Sequence, residues 1–108
     1  MTVKELSEMK DFETVCLPDG GREIAGCYCG DLLSWVMGRA KADQAWITIM
    51  SNVNIAAVAT LCDTSCIILS ENVSLDDDVK NVAEMKGINI LKTALPTYEA
   101  AVALSKMI

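Results

Sequence analysis

Three short apolar runs constrain most strongly what this chain can fold into. Residues 45–50 read "AWITIM", residues 66–70 read "CIILS" and residues 88–91 read "INIL". A strand with one face in water alternates apolar and polar residues. An unbroken run needs cover on both faces, as the strands of a parallel sheet have it. Between the runs lie stretches with helical periodicity, "IAAVATLC" and the segment from Leu75 to Lys86. Strand and helix in alternation make βα units, and right-handed crossovers lay their strands parallel. The fold expected is a small α/β layered domain. It has a largely parallel sheet of about four to five strands, flanked by helices and built from βα repeats.

The remaining elements attach to this rhythm. Thr2 and Glu5 form a capping box before a short N-terminal helix. A strand is expected in "FETVCL" and a turn in "PDGG", with hairpin-like strands on either side. Residues 1–20 then read as an appendage to one domain spanning 1–108. "EIAGCYC" reads as a further strand. Asp31 is placed to cap the next helix, on which Leu32, Leu33, Val36, Met37 and Ala40 share a face. Ser74 and Asp77 suggest a second capping box, Gly87 a helix C′ position, and Thr97 the start of the last helix.

Charge narrows the partners. With 9 basic and 15 acidic residues the net charge is −6. Such a surface repels phosphate backbones and anionic lipid, so neither nucleic acid nor a membrane is expected. No apolar run approaches the roughly 20 residues of a membrane span. The N-terminal "MTVKELSEMKDF" does not read as a signal peptide, and a cytoplasmic protein is expected. The acidic run Asp76 to Asp78 fans around a helix start, where it offsets the dipole.

There is no histidine and there are five cysteines. Lacking His, the chain has no Ser-His or Cys-His pair and no mixed Cys/His zinc site. It carries no phosphate-cradling GxxxxGK[ST] loop either. An enzyme is therefore not expected, and no cofactor is assigned. Cys27 and Cys29 in "CYCGD" fall on one face of a strand, with Cα atoms about 6.6 Å apart and parallel Cβ vectors, too strained for an easy disulfide. Two readings stay open. The cysteines are apolar filler with no metal assigned, or they make a metal or redox module serving an iron–sulfur enzyme.

In a parallel sheet the strands end along one edge, beside helix N-termini, and ligands settle there. That edge collects Gly30 and Asp31, then Ser51, Asn52 and Asn54, then Ser70, Glu71 and Asn72, then Thr93 and Thr97. These groups suit a small polar ligand, placed near Asn52, Asn54 and Ser70. Trp35 lies off the apolar face of its helix and is the candidate for a protein interface, in a chain small for its hydrophobic content of 52%.

The segments "TVKEL", "DGGREIAGCYCGDLLSWVM", "WITIMSNVNIAAVA", "CIILSENVSLDDDV" and "LPTYEAAV" resemble, in order and spacing, the DRTGG-domain family. Its short standalone members carry a Gly-Asp-Leu-Leu-Ser segment like Gly30 to Ser34. The pattern is also similar to the N-terminal domain of HPr kinase and, more distantly, to that of Mur ligases. The Asp-Arg of the family name falls here on Ser51 to Asn54, and its Thr-Gly-Gly on Ser70, Glu71 and Asn72. The resemblance implies a non-catalytic regulatory or adaptor domain. It implies a homodimer acting on a partner enzyme, with input from a small polar or nucleotide-like ligand.

Overall fold

The computed structural model describes all 108 residues. The elements run α1 (Val3–Ser7), β1 (Glu13–Cys16), β2 (Cys27–Cys29), α2 (Leu33–Arg39), β3 (Ala45–Thr48), α3 (Asn54–Cys62), β4 (Cys66–Leu69), α4 (Asp77–Met85), β5 (Ile90–Lys92) and α5 (Thr97–Ser105). The five strands form one sheet in the order β1-β5-β4-β3-β2. Neighbours from β2 to β5 pair in parallel, and β1 joins β5 antiparallel. This is the α/β layered fold expected, with the apolar runs in its central strands.

Strand alternation divides the core in two. On one face Trp46, Ile67, Leu69 and Ile90 pack under α2, α3 and α4. On the other, Ala45, Ile47, Cys66, Ile68 and Leu91 pack under α1 and α5. Both faces of β3 and β4 are covered, and all eight of their residues are buried. α1 is short, but its capping box forms as expected, and Val3 and Leu6 are fully buried in the second core. β1 is an edge strand of the common sheet.

Away from the strand ends, local expectations fail at four places. Pro18 to Gly21 makes no hairpin, because β1 and β2 stand at opposite edges of the sheet. The strand expected over "EIAGCYC" shrinks to its last three residues. Gly26 turns the chain with φ +127°, and the Ile24 N–H bonds back to the Met1 carbonyl instead. On α2 only Val36 is buried and Leu33 and Ala40 are half-buried, while Leu32 and Met37 are exposed. A seven-residue helix at the end of a sheet has little core to cover. Finally, Asp76 takes the N-cap position of α4 with no side-chain bond, so the Ser74–Asp77 capping box is absent. Gly87 does occupy the left-handed position after α4, with φ +72°.

An ion-pair staple holds the segment before β2 to the body. Arg22 Nη2 lies 2.8 Å from Asp63 Oδ1 and 3.0 Å from Asp43 Oδ1. Both aspartates sit at left-handed turns, Asp43 with φ +68° and Asp63 with φ +59°. One guanidinium nitrogen thus bridges two carboxylates, whose exposure limits the gain to about 1 kcal/mol.

Candidate functional site

The parallel strands β2 to β5 end along one edge, and antiparallel β1 begins there. The edge has two unlike halves. At the β2–β3 end, hydrogen bonds close the structure on itself. The Gly30 N–H donates to the Ile47 carbonyl at 3.1 Å, and Trp46 Nε1 donates to the Gly30 carbonyl at 2.9 Å. Asp31 does not cap α2; Leu32 holds that position. Instead its Oδ1 accepts from Thr48 Oγ1 at 2.8 Å and from the Ile49 N–H at 2.9 Å, tying the end of β2 to the end of β3. Asn52 Oδ1 accepts from the Asn54 N–H at 2.9 Å, an Asx turn into α3. Ser51 is half-buried, and Asn52 and Asn54 are exposed.

At the β4–β5 end the chain is held differently. Ser70 is fully buried, and its Oγ shares a hydrogen bond with Thr97 Oγ1 at 2.7 Å. Glu71 and Asn72 then take successive left-handed conformations, φ +61° and +57°. Their N–H groups donate to the Leu95 and Thr93 carbonyls at 2.9 and 3.0 Å, so the loops after β4 and β5 run side by side. The Thr93 side chain is buried and accepts from the Leu95 N–H.

Two cavities open at this end. One, of about 220 Å³, lies among Lys10, Asp11, Glu13, Asn72, Lys92 and Thr93, with two lysines and two carboxylates at its rim. The other, of about 280 Å³, lies among Glu13, Ser74, Leu75, Asp77, Lys80 and Lys92. Glu13 and Lys92 line both. Of the edge residues singled out in the sequence, only Asn72 and Thr93 border a cavity. Gly30, Asp31, Ser51, Asn52, Asn54, Ser70, Glu71 and Thr97 share the edge without lining one. The lysines were missed because nothing local marks them. They meet only when β1 pairs with β5, and that pairing is between segments about 75 residues apart. The one signal available was Lys92 itself, a charge placed directly after an apolar strand.

The cysteines sort by depth. Cys16, Cys62 and Cys66 are buried, as apolar filler would be. Burial pushes Cys16 up to about 11 and Cys66 up to about 12, and raises Cys62. Cys27 is half-buried and Cys29 exposed, so filler does not describe Cys29. Their sulfurs lie 4.0 Å apart on one face of β2. The hydrogen bond from the Cys27 thiol, opposed by partial burial and by Asp31, lowers Cys29 to about 7, and the same bond raises Cys27. No group of three or more His, Cys, Asp or Glu side chains converges to hold a metal ion. Trp35 is 54% exposed, with the Arg39 guanidinium 3.8 Å from its ring centre. No helix is long and apolar enough to cross a membrane.

A comparison with curated proteins finds no match. Among solved structures the fold is similar to the CBS and DRTGG domains of the regulatory region of Clostridium perfringens pyrophosphatase, in complex with its activator diadenosine tetraphosphate. The TM-score is 0.63 at 11% identity, covering 84% of this chain and 40% of that one. The likeness is one of fold, and this chain spans less than half of that regulatory region. The model of the DRTGG domain matches residues 29–107, from the last residue of β2 through α5. The chain belongs to the DRTGG domain family.

Proposed function

We propose that this chain is a non-catalytic regulatory or adaptor domain. It takes a small polar or nucleotide-like ligand at the C-terminal edge of its parallel strands and passes that state to a partner enzyme. The observation that carries the reading is the junction at Ser70 to Asn72. Two non-glycine residues there hold left-handed backbone beside a cavity bordered by Lys10 and Lys92 and by Asp11 and Glu13. Such backbone costs about 1–2 kcal/mol per residue, and it persists where the surroundings over-determine it, commonly at ligand sites. The resemblance puts the Thr-Gly-Gly of the family name on Ser70, Glu71 and Asn72, and glycine is the residue that takes left-handed backbone most readily. A regulatory region of similar fold is known with a nucleotide activator, which supports the same class of input. The edge offers donors and acceptors in Asn72, Thr93 and the lysines, and no nucleophile paired with a base.

The domain acts as a homodimer through α2, with Trp35 at its centre. Leu32 at the N-cap of α2 and Trp35 one turn on expose apolar surface, which a two-fold contact would bury twice. Sedimentation of the wild type and of Trp35→Ala tests this part, since truncating a central interface Trp typically costs at least about 2 kcal/mol. A dimer is expected, weakened by the substitution. A monomeric wild type rejects the dimer, and an indifferent dimer rejects its location.

For the ligand, a thermal-shift panel of adenine nucleotides, inorganic phosphate and inorganic pyrophosphate is the direct test. A stabilising member is expected to lose its effect in Asn72→Ala with Lys92→Ala. The pair Asn52→Ala with Asn54→Ala reports on the other half of the edge. A shift that survives both pairs contradicts the site.

A further inference from the structure

The pair Cys27 and Cys29 has no role in the edge just described. It stands on β2, at the far side of the sheet from the cavities around Lys92. Both sulfurs point to the face shared by α1 and α5, and Tyr28 points to the other. Cys27 leans on the core there, whereas Cys29 is exposed and packs against neither core cluster. As packing, Cys29 contributes little.

As a ligand set, the pair is already placed. Two thiolates on one ion at about 2.3 Å each lie about 3.8 Å apart in a tetrahedral arrangement and about 4.6 Å apart in a linear two-coordinate one. The observed separation is 4.0 Å. Closing on an ion therefore needs a movement of a few tenths of an ångström, and no change of strand. A disulfide asks for more, since residues two apart on an extended strand lie at the long end of the bridging range. A third donor from this chain does not converge on the pair. That argues against a closed four-coordinate zinc site, which needs four ligands, and favours an ion satisfied by few. Soft thiolates select Cu(I) in that way.

We propose that Cys27 and Cys29 form a two-thiolate clamp for a soft, thiophilic metal ion of low coordination number, with Cu(I) as its type. β2 is an edge strand, so the ion enters from solvent without the sheet opening.

The test is an anaerobic titration of the reduced, untagged protein with Cu(I) held by a chromophoric chelator such as bicinchoninate. One equivalent is expected to leave the chelator per chain. Cys29→Ser and Cys27→Ser are each expected to weaken binding at least about a hundredfold, since each breaks the chelate and its effective concentration. Cys29 is exposed, so Cys29→Ser leaves the core intact, and an unchanged circular dichroism melt verifies it. Cys62→Ser, at a buried cysteine outside the pair, is expected to bind as the wild type does. The proposal is overturned if the wild type withdraws no copper, if the Cys27→Ser and Cys29→Ser double variant still withdraws one equivalent, or if Zn(II) displaces Cu(I) from the pair.

Discussion

The two halves of the strand C-terminal edge use the same kinds of residue to opposite ends. Where β2 and β3 finish, polar groups are consumed in joining strand to strand: Asp31 bonds Thr48 and Ile49, and Gly30 takes the indole of Trp46. No cavity opens there. Where β4 and β5 finish, the loops bond each other through their backbones, and the polar side chains of Asn72 and Lys92 are left to border open space. A helix cap or strand latch satisfies its own donors and has nothing to offer a ligand. The half held by backbone bonds and the Ser70–Thr97 pair leaves the side chains of Asn72 and Lys92 free. Counting polar residues along an edge cannot separate these cases; only their hydrogen-bond partners can.

The comparison can be broken most forcefully at Trp46. It is fully buried and its indole N–H holds the Gly30 carbonyl. Trp46→Ala is expected to cost about 3–5 kcal/mol by urea unfolding. That is a large part of the stability of a domain this size. Trp46→Phe keeps most of the volume and drops the bond, and is expected to cost markedly less. Next comes Asp31→Ala, which leaves the buried Thr48 hydroxyl without its acceptor and frees the end of β2. A loss of about 1–3 kcal/mol is expected, with most of it restored in Asp31→Asn. If Asp31→Ala changed ligand response and left stability untouched, the latch reading would be wrong.

The two outer strands give a chemical contrast. Cys29 on β2, lowered to about 7, ionises near neutrality, whereas Cys16 on β1, raised to about 11 by burial, stays a thiol. The thiolate is the reactive form, so alkylation of Cys29 by iodoacetamide should rise about tenfold per pH unit up to about pH 7 and level off above it. Cys16 should stay unmodified across that range while the protein is folded. Peptide mass mapping after timed alkylation reads both.

The smallest effect is expected at the open half. Glu71→Gly and Asn72→Gly remove left-handed strain at φ +61° and +57°, against the greater chain entropy of glycine. Each is expected to change stability by no more than about 1 kcal/mol, in the stabilising direction. If either destabilised the fold by several kcal/mol, those side chains would be structural and not held in reserve for a ligand.

Much of this architecture was legible in the chain. Unbroken apolar runs marked β3 and β4, because doubly covered strands need no polar face, and helical periodicity marked α3 and α4 between them. What was illegible depends on distant pairing. Nothing near Glu13 says that β1 joins β5, so the two cavities that share Glu13 and Lys92 were not foreseen. Asp31 looked like a cap because capping is a local rule. Its acceptor went instead to Thr48 and Ile49, 17 and 18 residues on. Leu32 and Met37 kept a helical pattern for a face that a helix at the end of the sheet never buries. Local rules held where the contact was local, as in the Thr2–Glu5 box and at Gly87.

The central claim is that a ligand enters the open half of this edge, and amide chemical-shift mapping tests it most directly. The uniformly nitrogen-15-labelled domain is titrated with ATP as the nucleotide probe. The account predicts saturable shifts concentrated at Ser70 to Ser74 and Lys92 to Leu95, with smaller ones at Asn52 and Asn54. Shifts at the opposite ends of the strands, around Gln44 and Ser65, or no shift at millimolar ATP, would contradict it.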